Sequence, residues 1–219
     1  MIITESVRCA PAPQRLHLQR RGINPTVGEG GRISRRRNLG AQRQPMAICL
    51  MLWPNVRMNP GYRIQVGTLT DVSQIVILME EYWGFEGLAG FEAARMSELL
   101  AQVLAQAHLG TIWVAREGNE LVGYLIAVFV FSFEYQGLVA EIDELFVRSQ
   151  ARRHGIGTAL LDAAEMSLAD AGCTCVQLQL GTDNRGAQDF YNRRDYAART
   201  GYRLFGKPLA AASVERADY

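Results

Sequence analysis

Cysteine is scarce and poorly placed for metal chemistry. Four occur in 219 residues, Cys9, Cys49, Cys173 and Cys175, with no C-x-x-C spacing and no neighbouring histidine pattern, so no zinc site or other metal is expected. Cys173 and Cys175 stand two apart in a strand-like run and point to one face. Such neighbours lie roughly 6–7 Å apart along a strand and are not expected to pair; buried thiols of a reducing cytoplasm are the expectation. Long hydrophobic runs are missing too: Ala47 to Trp53 falls far below the roughly 20 residues that span a bilayer. It lies far from the N-terminus and near the lower limit for a signal h-region, so no membrane partner is expected. There is no G-x-G-x-x-G and no glycine loop ending in Gly-Lys-Ser/Thr, which excludes the dinucleotide and nucleoside-triphosphate loops. No internal repeat is present.

Apolar residues make up 48% of the chain, ordinary for a soluble globular protein. The formal charge of +1 hides an asymmetry. Residues 1–57 hold ten arginines, no lysine and two acids (Glu5, Glu29), a balance of +8; the remaining thirteen basic and twenty acidic residues give −7. The first segment is rich in Gly, Pro, Arg and Gln with little periodicity, which predicts a disordered extension. Three origins stay open for it: a misassigned start ahead of Met58, an arginine-rich nucleic-acid arm, or a targeting signal, since Ser34-Arg35-Arg36-Arg37-Asn38-Leu39 partly matches a twin-arginine pattern. The acidic remainder, residues 58–219, favours a basic small molecule over nucleic acid as partner.

In that remainder, alternation predicts a strand over Tyr62 to Val66. Asp71 with Gln74 suggests a capping box opening a helix to about Tyr82, which Trp83-Gly84-Phe85-Glu86-Gly87 breaks. A second helix is expected over Phe91 to Leu109, then strands Thr111 to Arg116 and Leu121 to Phe131 around a Gly118-Asn119 hairpin. Strand Val139 to Val147, helix Ile156 to Ala171, strand Cys173 to Leu180, a helix from Asn184 to about Arg194 and strand material at Tyr202-Arg203-Leu204-Phe205 complete a mixed α/β domain.

The strand from Val139 carries Glu141, Asp143 and Glu144 in an apolar frame. Carboxylates there need a reason. By alternation Glu141 and Asp143 share a face and Glu144 takes the other, unless a bulge intervenes. An amine is largely ammonium at pH 7, so carboxylates on its approach can attract it and remove a proton. Behind the strand, Arg152-Arg153-His154-Gly155-Ile156-Gly157 joins two guanidinium groups to glycines at a helix N-terminus, a layout suited to a diphosphate.

The R-x-x-G-x-G turn after Leu145-Phe146-Val147, the run Asn184-Arg185-Gly186-Ala187-Gln188-Asp189-Phe190-Tyr191 matching N-x-x-A-x-x-F-Y, and the strand carboxylates together resemble the GNAT superfamily of N-acetyltransferases, over about Met58 to Leu209. The resemblance implies a single-domain GNAT-like α/β fold, a mixed, mostly antiparallel sheet of six to seven strands flanked by four helices. It implies a cytoplasmic enzyme that transfers the acetyl group of acetyl-CoA directly to a primary amine, without metal. Acetyl-CoA would lie against Leu145, Phe146 and Val147, expected to form a bulge, and against Arg152, Arg153, His154, Gly155, Ile156, Gly157 and Thr158. Asn184 would bond the pantetheine arm. Tyr191 would protonate the thiolate, with Glu141 and Asp143 on the amine's side. Trp83, Phe85, Glu86 and Glu144 are the acceptor-binding candidates, since aromatics beside acids suit a cationic amine. A homodimer through C-terminal edge strands is implied by the same resemblance.

Two positions depart from the family pattern. Asp195 replaces the glycine that ends the last helix, which threatens the placement of Tyr191 and makes Tyr196 and Tyr202 reserve acids. Arg153 stands where many members have glycine. A CoA-binding protein without catalysis therefore remains an alternative.

Overall fold

The computed structural model of the chain describes residues 56–59 and 61–207. All lie in one compact unit, Leu50–Tyr219. Six strands form a sheet in chain order: β1 (Val56–Asn59), β2 (Tyr62–Val66), β3 (Gly110–Glu117), β4 (Glu120–Ser132), β5 (Gly137–Val147) and β6 (Cys173–Leu178). Every pair is antiparallel except β5 with β6. Helices α1 (Val72–Glu86) and α2 (Ala93–Ala105) precede β3; α3 (Ile156–Asp170) makes the crossover between the parallel strands, and α4 (Arg185–Asn192) follows β6. The expectations for residues 1–57 lie outside the described residues save for Val56 and Arg57, which open β1.

Both sheet faces are covered, which is why β3 and β4 read as nearly continuous apolar runs. Trp113, Ala115, Leu125, Ala140 and Ile142 pack with Leu160, Leu161, Ala164 and Leu168 of α3. The alternate residues Ile112, Val114, Tyr124, Ile126 and Phe146 pack with Ile75, Leu78 and Met79 of α1 and Leu100 of α2. At about 25 cal/mol per Å² of apolar area removed from water, this double core is the main stabilising term.

Several local expectations need correction. The box at the start of α1 lies three residues earlier: Asp71 Oδ2 accepts from the Thr68 N–H and hydroxyl, each at 2.9 Å, around a single 3-10 turn, Leu69–Asp71. Asp71 is buried and ion-paired to Arg116. Gln74 instead accepts the Leu121 N–H at 2.8 Å, tying α1 to β4. Nor does α1 break at Trp83; it runs through Gly84 to Glu86 and stops where Gly87 turns left-handed at φ +70°. A single exposed helical glycine costs about 1 kcal/mol against Ala, too little to end a helix packed on a sheet. The second helix is shorter at both ends than predicted. The expected strand at Tyr202–Phe205 is not formed, and among the described residues no strand pairs with the outer edge of β6. Instead Tyr202 lies under the Arg199 guanidinium, 3.8 Å from its ring centroid.

Candidate active site

Two irregularities of β5 create the site. Against β4, Ile126 pairs with Glu144 and Ala127 with Ile142, so Asp143 is the extra residue of a β-bulge. Against β6, pairing ends at Ile142 with Leu178. Beyond that point Asp143 to Val147 have no strand neighbour on the side away from β4 among the described residues. The backbone edge of β5 is open there. The predicted bulge over Leu145-Phe146-Val147 is thus centred on Asp143 instead.

The bulge shifts the alternation by one residue. Before it, Ala140 and Ile142 face α3; after it, Leu145 and Val147 do, while Phe146 packs on the α1 side. Glu141 and Glu144 therefore share the α1 face, where strict alternation separates them. They and Asp143 line a cavity of about 420 Å³ walled by Tyr82 and Trp83 of α1, Leu88 and Gln179.

The Tyr124 hydroxyl donates to Glu144 Oε2 at 2.6 Å, and the Trp83 indole N–H reaches Oε1 at 3.4 Å. Burial pushes the Glu144 carboxyl above its ordinary value, against the lowering effect of the Tyr124 hydrogen bond. Asp143 is exposed, and its carboxyl is raised by partial desolvation among its neighbours and by the charge of Glu141. Glu141 accepts from Gln177 Nε2 at 3.2 Å and Gln179 Nε2 at 2.9 Å. Burial and the nearby charges of Glu144, Glu86 and Asp143 push the Tyr82 phenol up to about 12.

At the far end of β5 the chain turns into α3. Gly155 caps the helix at φ +79°, and the first α3 hydrogen bond closes between the Ala159 N–H and the Gly155 carbonyl at 2.9 Å. The N–H groups of Ile156, Gly157 and Thr158 consequently lack intrahelical partners and form an anion-binding end. Arg153 adopts φ +66°, a left-handed backbone that favours glycine. Arg153 and His154 are exposed. Arg152 turns toward β5: its Nε donates to the Val147 carbonyl at 2.8 Å, and its guanidinium lies 4.7 Å from the Phe85 ring centroid. Phe85 thus meets the turn and not the acidic cavity.

Asn184 is the N-cap of α4, its Oδ1 accepting the Ala187 N–H at 3.1 Å, which leaves its amide nitrogen to donate. Tyr191 packs edge-on against Phe190 and Tyr196, with ring centroids 5.1 and 5.3 Å away, and burial lifts its phenol to about 12. Its hydroxyl makes no hydrogen bond among the described residues. Tyr196, a reserve acid, gives its hydroxyl to Glu165 at 3.0 Å, and Tyr202 stacks with Arg199 at the surface. Of the three, Tyr191 is the one whose hydroxyl has no hydrogen-bond partner among the described residues. Sequence reasoning missed Tyr124, Gln177 and Gln179. A phenol inside the otherwise apolar β4, which must find a buried acceptor, was the signal for the first.

The model of the acetyltransferase (GNAT) family matches residues 75–196. An uncharacterized N-acetyltransferase of Bacillus subtilis (strain 168), YhfO, is 29% identical over 143 residues, which cover 64% of this chain and 92% of the relative. Aminoglycoside N(6')-acetyltransferase type 1 of Klebsiella aerogenes is 27% identical over 141 residues, with the same two coverages of 64% and 92%. Among solved structures, AAC(6')-Iy in complex with the bisubstrate analog CoA-S-monomethyl-acetylneamine shares the fold, with a TM-score of 0.60 at 14% identity over 68% of this chain and 99% of that one.

Proposed function

The chain belongs to the acetyltransferase (GNAT) family, and from that premise we propose that it transfers the acetyl group of acetyl-CoA directly to a primary amine of a small molecule or peptide. The observation that carries this reading is a juxtaposition. The open backbone edge of β5 beyond Ile142 lies between the free N–H groups of α3 and a cavity floored by Glu141, Asp143 and Glu144. One side offers hydrogen bonds to a long polar thioester; the other offers negative charge to an ammonium. The relative named aminoglycoside N(6')-acetyltransferase type 1 lends weight to a cationic acceptor.

In this reading the α3 N-terminus holds the diphosphate, with Gly155 and Gly157 leaving room for its approach. Arg152, Arg153 and His154 add donors around it. The pantetheine arm lies along β5 as an added strand, bonded by backbone of Leu145 to Val147 and by the Asn184 amide. The N–H groups of that edge polarise the thioester carbonyl without reorganising during reaction. The amine enters beside Tyr82 and Trp83 and loses a proton to the carboxylate cluster. As the new N–C bond forms and the C–S bond breaks, the Tyr191 phenol supplies the proton that the thiolate takes up. A phenol lifted to about 12 by burial is fully protonated at neutral pH and suits that role.

The test is the melting temperature of the full chain with and without saturating acetyl-CoA. A ligand at 100 times its dissociation constant adds about 2.7 kcal/mol, and Gly155→Glu, which puts a charged side chain at a left-handed cap, should abolish the gain. Thiol release with a panel of amines then reads the reaction. A folded protein whose melting temperature does not rise removes the reading.

A further inference from the structure

The bulge places Glu141 and Glu144 on one face of β5, and their hydrogen bonds divide them. Glu141 receives two side-chain amides, Gln177 on β6 and Gln179 just beyond it, so its carboxylate spans the point where the two strands part. Glu144 is held from the other side, by the hydroxyl of a wholly buried tyrosine on β4 and by the indole of α1. Tyr124 cannot swing away: its ring is packed in the core beside Phe146, with centroids 6.2 Å apart. Its short bond fixes one oxygen of Glu144, and each oxygen keeps a further lone pair for an incoming N–H.

Resting on the acetyl-transfer reading above, we propose that Glu144, held by Tyr124 as its positioning residue, takes the proton of the acceptor amine, while Glu141 braces β6 against β5. The step balances. The ammonium first passes one proton through the carboxylates to water; from the neutral amine, nitrogen bonds the acetyl carbon as its N–H proton goes to Glu144, the C–S bond breaks, and the thiolate takes the Tyr191 proton. Water then returns one proton to Tyr191 and removes one from Glu144. The titratable groups facing Glu144 are Tyr82 from α1, Tyr124 from β4 and Asp143 from β5, with Glu86 of α1 and Tyr191 of α4 facing Tyr82. Burial and Asp143 raise the Glu144 carboxyl toward neutrality, where a general base works best, and the Tyr124 bond limits the rise.

The experiment measures kcat against pH for the full chain with acetyl-CoA and two amine probes, kanamycin and spermidine, in wild type, Glu144→Gln, Glu141→Gln and Tyr124→Phe. Glu144→Gln should lower kcat by about 10²–10⁴-fold while keeping the acetyl-CoA melting shift. Glu141→Gln should lose less than about tenfold, the smaller cost of loosening a brace rather than removing a base. Tyr124→Phe removes a bond that favours the charged carboxylate, so the acid limb of the profile should move to higher pH. Should that variant not fold, Trp83→Phe removes the weaker donor and should move the limb the same way. Equal losses at Glu141 and Glu144, or an unmoved limb, overturn the proposal while wild-type turnover keeps the acetyltransferase reading. A wild type that neither binds acetyl-CoA nor turns over removes both.

Discussion

The Tyr196 N–H donates to the Tyr191 carbonyl at 3.1 Å, closing the last turn of α4 over Asp195. With the Asp195 N–H on the Asn192 carbonyl at 3.2 Å, this is the paired 6→1 and 5→2 arrangement of a Schellman motif. Asp195 sits at its left-handed position, φ +64°, where glycine is favoured. The departure from the family pattern therefore leaves the helix end in place and keeps Tyr191 against Tyr196. The helix-end shift on which the non-catalytic alternative drew is not formed.

Asp195 is exposed and tolerates φ > 0 at a cost. Asp195→Gly should therefore raise stability by about 0.5–1 kcal/mol, and a β-branched Asp195→Val should lower it by about 1–2 kcal/mol. Thermal melting reads both. Equal melting temperatures for the glycine and valine variants would mean that the left-handed turn does not hold in solution.

Much of this was legible because periodicity and burial agree. The continuous apolar run Ile112 to Ala115 places both faces of β3 in the core, and the helical spacing of Ile156, Leu160, Ala164 and Leu168 places one face of α3 there. What stayed hidden depends on pairing between distant segments. Nothing local to Ile142-Asp143-Glu144 announces a bulge, since it is set by the register with Ile126 and Ala127. Without it, Glu141 and Glu144 belong to opposite faces and the acidic cavity cannot be drawn. Propensity alone marks Trp83-Gly84 as a break; the packing of α1 on the sheet carries the helix through it.

Tyr191→Phe should cut kcat by about 10²-fold or more while leaving the acetyl-CoA melting shift intact, because the lost hydroxyl has no protein partner among the described residues and acts only on the leaving thiolate. Single-turnover kinetics with wild type and variant check this. A variant with unchanged kcat would take the acid role from Tyr191.

Two glycines should respond to alanine in opposite ways. A Cβ on Gly110 would collide with the Ala127 carbonyl oxygen, on backbone that cannot withdraw without breaking the β3–β4 pairing. Gly110→Ala should cost about 3 kcal/mol. Gly84 lies inside α1, with nothing within 4 Å of its would-be Cβ, so Gly84→Ala should add up to about 1 kcal/mol. Urea midpoints measure both.

Glu144 should oppose stability at the pH where it serves catalysis. Burial raises its carboxyl in the folded protein, so the native state binds that proton more tightly than the unfolded chain. Its contribution to folding is then fully present below the unfolded pKa, near 4.3, and is lost as pH rises through the folded value. Glu144→Gln removes the charge and keeps an amide oxygen that can still accept from the Tyr124 hydroxyl. The variant should melt above wild type at about pH 8, with the gap closing toward about pH 4. Asp143 is present in both proteins and largely cancels from the comparison. Scanning calorimetry across that range decides it. A variant that melts below wild type at the alkaline end would mean that the bonds from Tyr124 and Trp83 outweigh desolvation. Glu144 would then be a stabilising structural carboxylate, and a loss of kcat on its removal could no longer be assigned to proton transfer.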